Sequence, residues 1–189
     1  KNLGCFGDGG MVFTNNADVN AKIRKLRNHG SAERDHHSYG FNSRLDDLQA
    51  GVLSAKMKHI SQWTDQRIAI AKLYDAALAD CKAIKLPYQK PGFRHVYHLY
   101  VIEPKCACKR AELLAFLNAH GVDAKTHYSI CIHNQEGFPW GKPYRLVGDL
   151  TNAENNAASC VSLPMFPELT PQEIQHVIEQ VRAWDATQA

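Results

Sequence analysis

Lys1-Asn2-Leu3-Gly4-Cys5-Phe6-Gly7-Asp8-Gly9-Gly10 leads directly into the apolar run Met11-Val12-Phe13-Thr14. Four glycines within ten residues open backbone conformations closed to other residues and leave room for other groups to approach. A lysine that condenses with a carbonyl compound needs such surroundings. A glycine-rich stretch before a strand is also the ordinary composition of a turn, so on this segment alone both readings stand. The apolar run that follows, from Met11 to Thr14, reads as a short buried strand.

Working outward, residues 18–28 carry Val19, Ile23 and Leu26 on one helical face, with Gly30 as the stop. Residues 31–42 show neither helical nor strand period, and a loop of that length in a compact enzyme is more often functional than idle. His36-His37 reads as part of this polar loop and not as a ligand pair. Helix resumes at Leu45, where Asp46 or Asp47 can serve its positive end and Leu48, Val52 and Met57 form an apolar stripe. A second helix over residues 62–80 turns Ile70, Leu73, Ala77 and Leu78 inward. It is the candidate connector between two domains, residues 1–62 and residues 63–189.

Beyond Pro87 and Pro91-Gly92 the period changes to that of a strand. Val96, His98, Tyr100 and Ile102 alternate with Tyr97, Leu99 and Val101 on a segment apolar enough on both faces to be largely buried. His98 on such a strand reads as a core histidine with its hydrogen bonds satisfied. Residues 111–120 are helical and stop at Gly121. The last helix, over residues 171–184, opens with Thr170 as N-cap, Pro171 in the first turn and Glu173 three residues after the cap, and buries Ile174, Val177, Ile178 and Val181. Strand, helix, short strand and helix make a small α/β domain. Residues 129–152, rich in Gly, Pro and aromatics, have no clear period and read as a surface or pocket wrap.

Composition narrows the function. A hydrophobic content of 44% suffices for a core, and no apolar stretch approaches a membrane span. The formal charge of +3 is scattered, and the cluster Lys22, Arg24, Lys25, Arg27 spreads over a solvated helix face, so nucleic acid and membrane are not expected partners. Cys5, Cys81, Cys131 and Cys160 stand singly, and Cys106-Ala107-Cys108 is spaced too closely for paired zinc ligands. No metal is expected. Without a leader in view, reduced cytoplasmic thiols are the expectation, with Cys106 and Cys108 in a turn after Pro104.

Lys1-Asn2-Leu3-Gly4, Gly7-Asp8-Gly9-Gly10, Thr14-Asn15, Arg27-Asn28-His29-Gly30 and Gly40-Phe41-Asn42-Ser43-Arg44-Leu45-Asp46-Asp47-Leu48-Gln49-Ala50 are followed by Val96-Tyr97-His98-Leu99-Tyr100, His120-Gly121-Val122, Thr126-His127-Tyr128, His133, Gln135 and Ser162-Leu163-Pro164-Met165. In order and spacing this series resembles the DegT/DnrJ/EryC1/StrS family of sugar aminotransferases, over nearly the whole chain. The resemblance implies an α/β protein of fold-type I, the aspartate aminotransferase-like class that uses pyridoxal 5′-phosphate (PLP). The chain would be the end of the large domain followed by the small C-terminal domain. It also implies that Lys1 stands at the family's mid-sequence Schiff-base lysine. An upstream half would then hold the acidic partner of the pyridine nitrogen, the group stacked on the ring and most of the phosphate cup.

What the resemblance implies for function is amino transfer from an amino acid, L-glutamate, to a nucleotide-linked keto sugar, in a cytoplasmic homodimer with active sites at the interface. Lys1 is then both catalytic residue and cofactor ligand. A lysine is ordinarily protonated at neutral pH, so such a site must favour the free amine; desolvation and nearby cationic charge are the means. Family dehydratases carry a histidine at this position, so Lys1 favours aminotransfer. By the same resemblance Asn42 reaches the cofactor phosphate of the neighbouring subunit, and Arg44 with His127 and Tyr128 binds the substrate. Amide and guanidinium suit phosphate or carboxylate, and His and Tyr suit hydroxyl or diphosphate oxygens. The plainer readings are a loop-closing Asn42, an Arg44 paired with Asp46 or Asp47, and a His127-Tyr128 that closes the sheet edge. The family continues His-Tyr with two prolines where this chain has Ser129-Ile130-Cys131. Asn42-Ser43-Arg44-Leu45 resembles members that act at the third carbon of the sugar. A silent PLP- or sugar-nucleotide-binding regulator and a dimerisation module are the alternatives.

Overall fold

The computed structural model describes residues 1–32, 35, 38–139 and 141–188. The loop pair His36-His37 lies outside the described residues. The chain divides into two compact units, Lys1–Ser61 and Gln62–Ala189.

In the first unit, α1 (Ala17–Arg27) begins where the Asn16 side-chain oxygen accepts the backbone N–H groups of Asp18 and Val19. Arg24, Lys25 and Arg27 occupy its last turn, where the helix dipole favours cations. After the polar loop comes α2 (Asp47–Met57), with Asp47 at its positive end. Neither helix buries a residue, and the expected apolar stripe of α2 is open, with Leu48 79% and Met57 54% exposed. The expected buried strand from Met11 to Thr14 does not form: these residues have no regular structure, and Phe13 is 85% exposed. A strand exists only by pairing. The one sheet among the described residues lies wholly in the second unit.

The loop after α1 is less open than its composition suggests. His29 N–H donates to Phe41 O, Phe41 N–H to Leu26 O and Ser43 N–H to Arg27 O, which brings the far end of the loop back onto the end of α1. The crossing requires glycine twice. Gly30 has φ +72°, and a Cβ on it would lie 1.9 Å from Ser38 O; a Cβ on Gly40 would lie 1.9 Å from Gly30 N.

The second unit has a closed core. A three-stranded antiparallel sheet, β1 (Ile84–Lys85), β2 (Tyr100–Pro104) and β3 (Val161–Leu163), has order β1-β2-β3, with Ile84 opposite Pro104 and Ile102 opposite Val161. Lys125 adds a further bridge to Ser162. Around the sheet are α3 (Ile60–Leu78), α4 (Arg110–Ala119), α5 (Thr151–Ser159) and α6 (Pro171–Ala186). Core side chains include Tyr74, Leu78, Tyr100, Ile102, Leu113, Leu117, Val161, Val181 and Trp184. A large apolar side chain so buried contributes roughly 1.5–3 kcal/mol.

The caps of α6 form as read: the Thr170 side chain accepts Glu173 N–H, and the Glu173 carboxylate accepts Thr170 N–H. Its inward face is Ile174, Val177, Ile178 and Val181, joined by Trp184. In α3 Ile70 and Leu78 are buried as expected, with Ala71 and Tyr74 beside them, whereas Leu73 is 52% exposed. The strand expected from Val96 starts only at Tyr100. Tyr97 takes φ +42°, outside any strand, and Arg67 Nη1 donates to the carbonyls of Tyr97 (3.2 Å), His98 (3.3 Å) and Met165 (2.7 Å). Those carbonyls therefore face a guanidinium and not a neighbouring strand. His98 is half-buried. The helix α5 escaped the sequence reading because its apolar content is confined to alanines and its exposed face is asparagine-rich.

The expectation of reduced thiols holds for Cys5, Cys81, Cys131 and Cys160 and fails for Cys106 and Cys108, which are joined by a disulfide. Their Cα atoms are 5.2 Å apart, within the span a disulfide bridges. Among the described residues no helix is long and apolar enough to cross a membrane.

Candidate active site

Lys1 is exposed and opens a turn anchored to α2 at two points. Phe6 N–H donates to Gln49 Oε1 at 2.7 Å, and the half-buried Lys56 ammonium donates to Gly4 O. The glycines permit this approach. A Cβ on Gly9 would meet Cys5 Sγ at 2.7 Å, and one on Gly7 would meet Gln49 Nε2 at 3.3 Å. The turn that presents Lys1 is thus a fixed object. Sequence reasoning singled out Lys1 but not Gln49 or Lys56, because nothing local marks a helix side chain as the partner of a loop some fifty residues away.

Asn42 and Arg44 form a second cluster in the same unit. Asn42 faces Asn28, the residue that ends α1, in an isolated antiparallel bridge. The Arg44 guanidinium donates through Nε to Asn42 Oδ1 (3.3 Å) and through Nη1 to Asn28 Oδ1 (3.4 Å). Among the described residues Arg44 has no carboxylate within ion-pair distance, so the pairing with Asp46 or Asp47 is not made. Among the described residues its bonded neighbours are neutral amides, which orient the guanidinium without compensating its charge. Such a group, beside the remaining N–H donors of Asn42, favours an anion. Lys1 and this cluster share no hydrogen bond among the described residues.

His127 and Tyr128 lie in the second unit. Half-buried His127 places Nδ1 3.0 Å from Ser162 Oγ, and the bond fixes the imidazole plane. Ser162 is 3% exposed and is held by backbone bonds with Lys125 in both directions. Tyr128 is 69% exposed, its ring edge-on to His127 at 5.6 Å. Its carbonyl accepts the thiol of buried Cys160 at 3.8 Å, and burial pushes that thiol up from its ordinary range. His133 and Gln135 are taken up locally, by Glu154 at 2.9 Å and by the Ile130 carbonyl at 3.2 Å. His127 and Ser162 also border a cavity of about 510 Å³, with Lys125, Leu163, Phe166 and His176 among its walls. A concave, mostly apolar space with a few fixed polar groups is what a small-molecule subsite requires.

The residues thus comprise an exposed lysine on an anchored glycine turn, an amide and guanidinium set for an anion, and an oriented histidine beside a cavity. Over residues 1–182 the chain matches the model of the DegT/DnrJ/EryC1/StrS aminotransferase family. It is 41% identical over 184 residues to a Geobacillus stearothermophilus protein named pleiotropic regulatory protein, covering 96% of this chain and 48% of that one. It is 38% identical over 185 residues to the dTDP-3-amino-3,4,6-trideoxy-alpha-D-glucose transaminase of Streptomyces venezuelae, covering 97% and 48%. The crystal structure of S. venezuelae DesV in complex with a ketimine intermediate aligns with a TM-score of 0.88 and 38% identity, over 98% of this chain and 49% of that one. The chain spans about half the length of the curated relatives it matches. With a family match across both units and an α/β structure that aligns with DesV throughout, the chain belongs to the DegT/DnrJ/EryC1/StrS aminotransferase family.

Proposed function

We propose that the protein transfers an amino group from an amino acid, L-glutamate, to a nucleotide-linked keto sugar, with pyridoxal 5′-phosphate as cofactor. The observation that carries this reading is Lys1, exposed at the head of a glycine turn that Gln49 and Lys56 fix to α2. The donor set fits the cofactor in kind: a primary amine for its aldehyde, and the Asn42 amide with the uncompensated Arg44 guanidinium for anionic oxygens. Lys1 would hold the group through Nζ, and Asn42 would reach the phosphate of the cofactor bound in the neighbouring subunit. Bound there, the cofactor supplies an electron-accepting ring that stabilises negative charge on the substrate carbon.

The chain's own residues do the rest. Lys1 Nζ, once displaced by the amino donor, takes and returns a proton at the donor's α-carbon. Arg44 binds a carboxylate or phosphate of the substrate, and His127 and Tyr128 offer ring nitrogen and hydroxyl to the sugar nucleotide. Residues 1–62 are read as the end of the large domain and residues 63–189 as the connecting helix and small domain of a cytoplasmic homodimer with sites at the interface, acting at the third carbon of the sugar.

The test is borohydride reduction of the complete protein followed by peptide mass spectrometry. A pyridoxyl group on Lys1, lost in Lys1→Ala together with all amino transfer, is expected; an unmodified Lys1 would sink the reading. A regulator that binds the same ligands without turnover is favoured by the name of the Geobacillus relative. Conversion of L-glutamate to 2-oxoglutarate in a half-reaction separates the two.

A further inference from the structure

Cys106 and Cys108 take no part in the reading above, yet their placement is specific. They sit on the connection between β2 and α4, with Cys106 as the cap of a short 3-10 turn, Ala107–Lys109, that runs directly into α4. Both are exposed and joined to each other, while the other four cysteines stay free. The connection is anchored on both sides: Lys105 N–H donates to Ala83 O, and Arg110 Nη1 donates to Ala157 O. With Lys105 held through its backbone and Arg110 through its side chain, the connection keeps the two cysteines close, their Cα atoms 5.2 Å apart.

The pair lies at the N-terminal end of α4, where the helix dipole stabilises negative charge, and Lys105, Lys109 and Arg110 stand within two residues of a cysteine in sequence, with Lys109 paired to Glu112 at 2.6 Å and Arg110 bonded to Ala157 O. Exposure gives a small thiol access, and a stabilised thiolate is a good leaving group in exchange. Cys160 makes the contrast, since it is buried and its thiol is pushed up by burial.

We propose that Cys106-Ala107-Cys108 is a reversible dithiol–disulfide exchange site whose partner is a low-molecular-weight thiol of the glutathione class. In the reducing direction an external thiolate attacks one sulfur, the Cys106–Cys108 bond breaks, a mixed disulfide forms, and the released cysteine thiolate takes a proton. A second external thiolate then attacks the mixed disulfide at the external sulfur, which releases the oxidised partner and frees the other cysteine. The pair gains two electrons and two protons, and two external thiols become one disulfide.

The experiment equilibrates the complete protein in glutathione buffers from fully reduced to fully oxidised, quenches with an alkylating reagent and maps the adducts. Cys106 and Cys108 are expected to pass together from two adducts to none in one transition of two electrons, with the fold intact by circular dichroism. Two adducts retained in fully oxidised buffer, or a bond that opens only when the protein is unfolded, would overturn the proposal. As a second measurement, Cys106→Ser is expected to leave Cys108 to form a glutathione mixed disulfide faster than Cys81 or Cys131 in the same molecule. Equal or slower modification of Cys108 counts against a tuned site.

Discussion

Ser162→Ala separates the orientation of His127 from its presence. Ser162 is 3% exposed, and its hydroxyl is bonded to His127 Nδ1 at 3.0 Å. Removing Oγ leaves the backbone bonds between residues 125 and 162 intact, so the strand edge keeps its register. A neutral hydrogen bond of this kind contributes about 1 kcal/mol net. His127 is half-buried and can recover a water at Nδ1, so the fold loses little, while the imidazole gains rotational freedom. If His127 binds the sugar nucleotide, freeing its ring should weaken UDP or dTDP binding about fivefold, the equivalent of about 1 kcal/mol. Calorimetric titration of the complete protein gives the number, and a double-mutant cycle assigns it. In a His127→Ala background the same Ser162→Ala change should cost nothing. An unchanged affinity, or an equal loss with and without His127, would refute the idea that Ser162 works through the imidazole.

Three further outcomes test the second unit. Arg67→Met removes the guanidinium that donates to the carbonyls of Tyr97, His98 and Met165 and should lower unfolding free energy by about 2 kcal/mol, the cost of part-buried carbonyls that lose this donor, partly offset by the partnerless Nε and by the burial that holds this guanidinium below its ordinary range; urea unfolding at neutral pH would show no loss if the clamp were decorative. Burial raises the phenols of Tyr74 and Tyr100 above their ordinary range, and the Tyr100 hydroxyl also donates to Asp75 Oδ1 at 2.6 Å. A raised folded-state pKa means that the stability these phenols contribute is whole below about pH 10 and falls above it, at about 1.4 kcal/mol per pH unit for each tyrosine, as the unfolded phenols ionise first. Burial raises Tyr97 in the same direction, so Tyr100→Phe should make the slope shallower by one tyrosine's share, and a slope equal to wild type would show that Tyr100 does not contribute. Thr170→Ala removes the side-chain half of the capping box, leaves the Thr170 N–H to Glu173 bond available, and should cost about 1 kcal/mol by thermal melting, whereas Thr170→Ser should restore most of it.

How far the sequence could be read differs between the two units for a physical reason. In the second, the elements that carry apolar periods also supply each other's partners, so the stripe Ile174, Val177, Ile178, Val181 announces burial that the sheet then provides. In the first, Met11, Val12 and Phe13 show the same demand for cover, yet they are exposed together with Phe6 and Leu48. Apolar period reports that a residue needs a partner and does not report whether one is at hand. The late start of β2 is a different failure. Alternation predicts a strand from Val96, but Arg67, thirty residues earlier, takes the carbonyls of Tyr97 and His98, and no local pattern carries that information.

The candidate site divides along the same line. Residue type and motif order pointed to Lys1, Asn42, Arg44, His127 and Tyr128, because amine, amide, guanidinium, imidazole and phenol each advertise their chemistry. The groups that hold them were silent. Gln49 and Lys56 reach the lysine turn from a helix, Asn28 steadies Arg44 across the loop, and Ser162 fixes His127 from a buried strand. Each is an ordinary polar residue that acquires a role only when tertiary structure brings it within 3.5 Å of its partner. Cys106 and Cys108 add the converse case. A spacing of two is too close for paired zinc ligands, whereas the same spacing on an anchored turn brings Cα atoms to 5.2 Å, a separation at which two sulfurs can bond to each other. Spacing rules test for the ligand one has in mind, and the backbone decides which bond the residues can make.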